Sequence, residues 1–152
     1  MKFVLIIITL LISISCFSQL EERNGVYYTK DGETYTGQYT EHYDNGSVKI
    51  ITELKNGQAN GITNIFYANG SKKETRSYLL GIKNGQWTSY FKNGKNSAIA
   101  FYKNGKKNGE WKVWDKQAIL RYIMHYQMGK RIGLWKMFDE KGNLLNEKLY
   151  KK

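Results

Sequence analysis

Glycine recurs on a 24-residue grid, at Gly37, Gly61, Gly85, Gly109 and Gly133, with no insertion between copies. Two further columns keep the same step: Gly46, Gly70, Gly94 and Gly142, then Gly57, Gly81, Gly105 and Gly129. Together the columns hold 13 of the 15 glycines in a chain of 152 residues. Glycine enters φ > 0 without a Cβ penalty, so a glycine column is a column of like bends. A chain bent at fixed intervals is a repeat array. The clearest copy is Gly85 to Asn108, GQWTSYFKNGKNSAIAFYKNGKKN, and the copies run 37–60, 61–84, 85–108, 109–132 and, cut short, 133–152.

Each copy holds two runs with strand character. The first follows the opening glycine and carries aromatics at its second place (Tyr39, Trp87, Trp111, Trp135, with Thr63 the exception) and fifth place (Phe66, Tyr90, Trp114, Phe138, with His42 the exception). The second ends on Leu54, Tyr78, Tyr102, Tyr126 or Tyr150 and alternates with period two, as in Leu120-Tyr122-Met124-Tyr126. Ile51, Ile99 and Ile123 fall on the other parity, so either both faces carry apolar groups or a bulge intervenes. Between the runs, Asn45-Gly46, Asn69-Gly70 and Asn93-Gly94 predict hairpin turns with two φ > 0 residues. Gln117-Ala118 breaks that column and predicts either a strained alanine or a turn of a different kind. A four-residue step from glycine to glycine, as from Gly57 to Gly61, is expected to close each copy as Lys- and Asn-rich turn. No helix of ordinary length fits, proline is absent, and the fold class is all-β. Ordering 24 residues costs on the order of 30 kcal/mol of backbone entropy, against about 1.5–3 kcal/mol for each buried aromatic. Copies must therefore stack to fold.

The first stretch stands apart. Lys2 precedes the apolar run Phe3 to Ile14, too short to span a bilayer, and Cys16 and Ser18 are small. Residues 1–18 read as a cleavable signal peptide, and the chain is expected to be exported to the periplasm, outer membrane or extracellular space. The rival reading is a lipoprotein anchored through Cys16, the single cysteine, although Ser13 and Ile14 fit that pattern poorly. Removing the segment takes away Lys2 alone and lowers the formal charge from +11 to +10. Such a surface suits anionic lipid or polysaccharide, and export argues against nucleic acid. Lysines beside turns also keep sheet edges from pairing with other chains. Residues 19–36 form a polar, mobile lead-in (QLEERN) and an irregular cap with a strand at Gly25 to Tyr28 and a turn at Lys30-Asp31-Gly32.

No reactive constellation emerges. His42 and His125 stand in unrelated columns without metal-ligand spacing, and Asp31, Asp44, Asp115 and Asp139 flank turns, where aspartate serves the backbone. Glu33, Glu41, Glu53 and Glu74 have no fixed separation suited to paired-carboxylate chemistry. Neither cofactor nor metal is expected, and an enzyme is disfavoured. The aromatic columns remain, as cohesion between hairpins or as a recognition strip of Trp87, Trp111 and Trp135 with Tyr90, Trp114 and Phe138, flanked by Lys112 and Lys136.

The glycine-bounded units with G-x-W-x-x-Y/F, the N-G turn and the closing Y-K-N-G-K-x-N-G resemble the MORN repeat, in the variant form of bacterial envelope proteins and of an antitoxin group. GVYYTKDGETYTG, Gly25 to Gly37, resembles the opening of that group, and the likeness extends from Gly25 to Tyr150. It implies an elongated, single-layer antiparallel sheet of consecutive β-hairpins with aromatic ladders on a face, used for interaction rather than catalysis. Three expectations follow: an exported scaffold that binds a protein at the envelope, an antitoxin-like protein that neutralises a toxin by binding it, or a binder of anionic membrane or polysaccharide. Demonstrated export argues against a cytosolic antidote.

Overall fold

The computed structural model describes residues 20–151, and the signal-peptide reading, with Cys16, lies outside the described residues. In chain order the strands are β1 (Glu21–Arg23), β2 (Val26–Tyr28), β3 (Gly37–His42), β4 (Val48–Lys55), β5 (Gln58–Phe66), β6 (Lys72–Leu79) and β7 (Ile82–Lys83). Then follow β8 (Gly85–Tyr90), β9 (Asn96–Lys103), β10 (Lys106–Lys107), β11 (Gly109–Trp114), β12 (Leu120–Gln127), β13 (Lys130–Phe138) and β14 (Leu144–Tyr150). β3 to β14 form one antiparallel meander in sequence order, with β7 on β6 and β10 on β9, while β1 and β2 pair as a separate hairpin. The fold is an all-β open sheet of consecutive hairpins, and each 24-residue copy supplies its two long strands.

Two kinds of turn alternate, and the two-residue type expected at Asn45-Gly46 lies in the other column. The tight two-residue turns with φ > 0 at both places are Asn56-Gly57, Leu80-Gly81, Asn104-Gly105 and Met128-Gly129. At Asn45-Gly46 only the glycine has positive φ, at 79°. Gly46 N–H donates to Tyr43 O at 2.8 Å and Tyr43 N–H to Ser47 O at 2.9 Å, the three-residue loop that ends in a glycine bulge. Asn45 keeps an ordinary φ because its Oδ1 accepts from Ser47 N–H at 3.1 Å, a local turn that stands in for backbone pairing. Of the two expectations for Ala118, the strained alanine is the one found, at φ 70°.

The closing step is strand rather than turn. Residues 58–60 belong to β5, and β7 and β10 occupy the same places in later copies. Register slips by two between Thr52 and Leu54 around Gly61, and between Ile123 and His125 around Gly133, so these glycines mark bulges. Further shifts fall between Ser89 and Tyr90, Val113 and Trp114, and Met137 and Phe138. The parity conflict in the sequence thus has both explanations: the strands bulge, and both faces carry apolar groups.

Among the described residues the single layer encloses no core. Leu54, at 3 % exposure, is the one buried hydrophobic residue among those described, with Thr52, Thr63 and Thr88 buried beside the backbone. Cohesion therefore comes from each strand's two neighbours, as in a one-dimensional array. The N-terminal end is closed by β1 and β2. Tyr27 N–H donates to Gly57 O at 2.8 Å, and the Tyr27 ring lies 4.9 Å from that of Tyr39. The lead-in expected to be mobile is in part strand β1, joined to β2 through Asn24-Gly25. Thr63, which interrupts the aromatic column, pairs with Thr52 and shares a 2.7 Å hydroxyl contact with it, one strand over from Tyr39.

Candidate interaction surface

Strand alternation sends Trp87, Trp111 and Trp135 to one face, together with the tyrosines that end the second runs. Seven rings then follow one another across the sheet: Tyr78, Trp87, Tyr102, Trp111, Tyr126, Trp135 and Tyr150, with successive centroids 5.0 to 5.4 Å apart and planes tilted by 52° to 62°. Tilted and edge-to-face pairs of this kind turn the positive rim of one ring toward the negative face of the next, worth about 0.5–1.5 kcal/mol per pair. Each indole is also anchored. Trp87, Trp111 and Trp135 donate Nε1–H to the carbonyls of Ser77, Phe101 and His125, each at 3.0 Å. Tryptophan is suited to that column because it fills the ladder and supplies a donor at the bulge.

A cation lies over each indole. Lys83 Nζ is 4.5 Å from the Trp87 centroid and 5.2 Å from Tyr102, and Lys107 Nζ is 4.4 Å from Trp111 and 4.9 Å from Tyr126. The Arg131 guanidinium is 5.0 Å from Trp135 and 5.7 Å from Tyr150. The ring quadrupole attracts a cation at these distances. None of the three is paired with a carboxylate among the described residues. Arg76, 5.0 Å from Trp87, differs: its Nε donates to Glu74 at 2.6 Å, and although desolvation works to lower its pKa, the hydrogen bonds and charges of Glu74 and Tyr78 together raise it. Burial pushes the Tyr102 phenol up, with Arg76 opposing, so the ladder tyrosine stays neutral through the physiological range.

The face continues past the ladder at the C-terminal end. A shallow groove of about 290 Å³ is lined there by Tyr122, Met124, Trp135, Met137, Lys148 and Tyr150.

The strip expected from sequence divides between two faces. Lys112 and Lys136 join a row with Thr88, Ile99 and Ile123 on the reverse side, paired in register from strand to strand. They do not flank the tryptophans, because neighbours in a strand point to opposite faces. Tyr90, Trp114 and Phe138 alternate to that reverse side as well, next to the register shifts. Trp114 lines a depression with Lys95, Asn96 and Ala118. The cations that cap the ladder were missed, yet Lys83, Lys107 and Arg131 stand 24 residues apart and form a basic column in the sequence. Also missed was the column Thr36, Asn60, Asn84 and Asn108, whose side-chain oxygens accept N–H groups from the tight turns at residues 56, 80, 104 and 128.

The histidines have structural company. His125 Nδ1 is 3.1 Å from Leu134 O, and its Nε2 is 3.5 Å from Glu110. Glu110 is held below the usual carboxylate range first by its hydrogen bond from Lys112, against a partial desolvation. No cluster of three metal-ligating side chains occurs among the described residues.

The MORN repeat variant profile matches residues 35–56, 83–104 and 131–152. The chain carries three MORN repeat variants. The matched segments are 48 residues apart and so take every second 24-residue copy. The intervening copies are the ones that carry Thr63 in place of an aromatic and Gln117-Ala118 in place of Asn-Gly. Among curated proteins none matches the chain. MORN repeats in general bind proteins or membrane phospholipids and act without catalysis, and in this MORN array the ladder with its cations is the most developed surface.

Proposed function

We propose that this MORN protein is exported and serves at the cell envelope as a non-catalytic scaffold, holding a protein partner against its ladder face. The observation that carries the reading is the set of three cations, Lys83, Lys107 and Arg131, spread over interleaved rings without carboxylate partners. Aromatic bodies and basic groups are favoured at protein interfaces. Equivalent groups in successive copies lie two strands apart, a spacing of roughly 10 Å. The partner that fits is an acidic surface with apolar or aromatic side chains between its carboxylates.

Capture from an envelope extract tests this directly. The tagged protein is compared with a ladder-face variant (Lys83→Glu, Lys107→Glu, Arg131→Glu) and a reverse-face variant (Lys112→Glu, Lys136→Glu). The reading expects a partner lost with the first set and kept with the second. Capture indifferent to the ladder-face charges, or a partner recovered only from the cytosol, refutes it.

A further inference from the structure

The two ends of the array are finished differently. At the N-terminal end the β1–β2 hairpin lies against the first copy, with Tyr27 N–H on Gly57 O at 2.8 Å and the Tyr27 ring 4.9 Å from that of Tyr39. At the other end β14 is the last strand of the sheet, paired with β13 alone among the described residues. Its equivalents in the preceding copies, β12, β9 and β6, each hold a strand of the following copy along the same edge.

The residues of β14 suit a covered strand. Leu145 and Leu149 stand in columns that earlier copies fill with Lys73, Ser97 and Arg121, and with Ser77, Phe101 and His125. They are 61 % and 68 % exposed, and Leu144 beside them is 51 % exposed. Proteins protect an edge strand with charge, proline or a cover, and a long apolar one is a template for another strand. β14 runs seven residues without proline, and its one acidic and one basic side chain, Glu147 and Lys148, cancel. The strongly positive charge of the chain, +11 in all, is therefore not expressed along this strand.

The backbone of earlier copies shows which groups face outward. His125 O, one copy back from Leu149, accepts Trp135 Nε1–H from the following strand at 3.0 Å. Phe101 O, two copies back, accepts Asn108 N–H at 2.9 Å. By the repeat, Leu149 turns its N–H and C=O away from β13, and so does Glu147 two places earlier, while Asn146 and Lys148 turn theirs toward β13. An edge that accepts a strand of this chain in every earlier copy is thus open in the last, and the strand chemistry that fits it is the chain's own.

We propose that two copies of the chain join through β14, antiparallel, into a closed dimer with one continuous sheet. Antiparallel pairing about a two-fold axis normal to the sheet sets one residue opposite itself. An axis at Glu147 or Lys148 would set like charges opposite each other, which is destabilising. An axis at Asn146 sets amide opposite amide and Glu147 opposite Leu145 of the second copy, and lays Leu149 diagonal to that Leu145 along the seam. Head-to-tail joining of β14 to β3 would extend without limit, and the N-terminal hairpin, with Tyr27 on Tyr39, stands beside the strand that such joining needs. The two-fold axis keeps both ladder faces on one side of the joined sheet, so a partner with two sites engages them together. The assignment does not depend on the scaffold reading, because association is measured on the protein alone.

Sedimentation velocity of the purified protein across the micromolar range reads the association. A monomer–dimer equilibrium is expected; a chain that stays monomeric throughout, or grows past the dimer, overturns the proposal. The double variant Leu145→Ser, Leu149→Ser gives both columns a residue they already hold, at Ser97 and Ser77. Its β-sheet circular dichroism is expected to hold while its dimer dissociation constant rises about tenfold or more, and unchanged association overturns the proposal. Asn146→Cys in a Cys16→Ser background sets thiol opposite thiol at the axis, within disulfide reach, and decides the case independently of how the double variant folds. Under air oxidation it is expected to run as a cross-linked dimer on a denaturing gel, while Asn69→Cys, in the loop between β5 and β6, stays a monomer. Cross-linking of Asn146→Cys no greater than that of Asn69→Cys overturns the pairing.

Discussion

Replacing Ala118 by glycine removes one methyl group and should make the protein more stable. Ala118 has φ 70° and occupies the place where Gly46, Gly70, Gly94 and Gly142 stand at φ 79° to 83°. An L-residue there sets its Cβ against the following carbonyl at a cost of about 1–2 kcal/mol. Glycine gives back about 0.4–1 kcal/mol through the greater freedom of the unfolded chain. The net expectation is a gain of about 1 kcal/mol or slightly less. The loop itself is not at risk. Asp115 holds it from outside the column, its Oδ1 accepting Gln117 N–H at 3.0 Å and Ile119 N–H at 2.9 Å.

Thermal and urea unfolding measure the effect. For a chain of this length about 1 kcal/mol moves the midpoint by about 3 °C. The converse substitution, Gly94→Ala, supplies the control. A Cβ there meets nothing within 4 Å, so it carries the backbone penalty without a clash and should lower the midpoint by a similar amount. The reasoning fails if Ala118→Gly leaves the midpoint unchanged or lowers it while Gly94→Ala is destabilising, because the two loops would then differ in more than φ.

Three further outcomes are expected. Gly57→Ala should release the N-terminal cap, since a Cβ at Gly57 falls 2.6 Å from Val26 Cγ1 and 2.7 Å from Tyr27 O; faster proteolysis within residues 20–36 than for Gly46→Ala, which meets nothing, is the readout, and equal rates refute it. Asp139 is held below the ordinary aspartate pKa chiefly by Asn143 N–H, with the Asn143 side chain and Lys141 N–H adding to it against slight desolvation. A depressed folded-state pKa stabilises above the unfolded value of about 3.9 and loses that stabilisation as pH falls through the folded value, so Asp139→Ala should cost stability near neutrality and progressively less in acid; a deficit that persists undiminished in acid refutes it. Deleting residues 85–108 joins Asn84 to Gly109, the same neighbours the array already uses at Asn108 and Gly109, and should leave a folded, shorter sheet; deleting residues 85–96 should not fold, and comparable β-sheet circular dichroism and melting of the two deletions argues against the nearest-neighbour picture.

Period and strand content were legible in the sequence because each glycine column corresponds to a φ the backbone requires. The turn types were not, and the reason is local. Asn-Gly occurs in both kinds of turn, at Asn45-Gly46 and at Asn56-Gly57, and only the residues around it decide whether asparagine itself goes to positive φ. Ser47 and Ser71, two residues on, give the bulged loops a partner for the asparagine oxygen. The tight turns are set instead by Asn60, Asn84 and Asn108, more than a hairpin arm away. The surface was half legible. Trp87, Trp111 and Trp135 are in the ladder as their column implied, but pairing them with Lys112 and Lys136 ignored strand alternation. The true cations, Lys83, Lys107 and Arg131, stand four residues before the tryptophans, in β7, in β10 and at the start of β13, and reach the rings across a bulge that sequence periodicity does not reveal.

Cohesion and recognition, rivals when the aromatic columns are read alone, occupy different parts of the same rings. Each indole spends its N–H on a carbonyl and its rim on the neighbouring tyrosines, which fixes its orientation. What remains toward solvent is a π face already covered by a lysine or arginine. A partner on that side meets a layer of positioned cations first, with the aromatic layer setting where those cations stand. The ladder therefore acts on recognition through geometry. Trp111→Phe removes the Nε1 hydrogen bond to Phe101 O, worth about 1 kcal/mol; it loosens Lys107 together with the ring and should weaken a ladder-face partner even though no charge has changed. Unaltered capture by that variant, with Lys107→Glu still disruptive, limits the aromatic column to holding hairpins together.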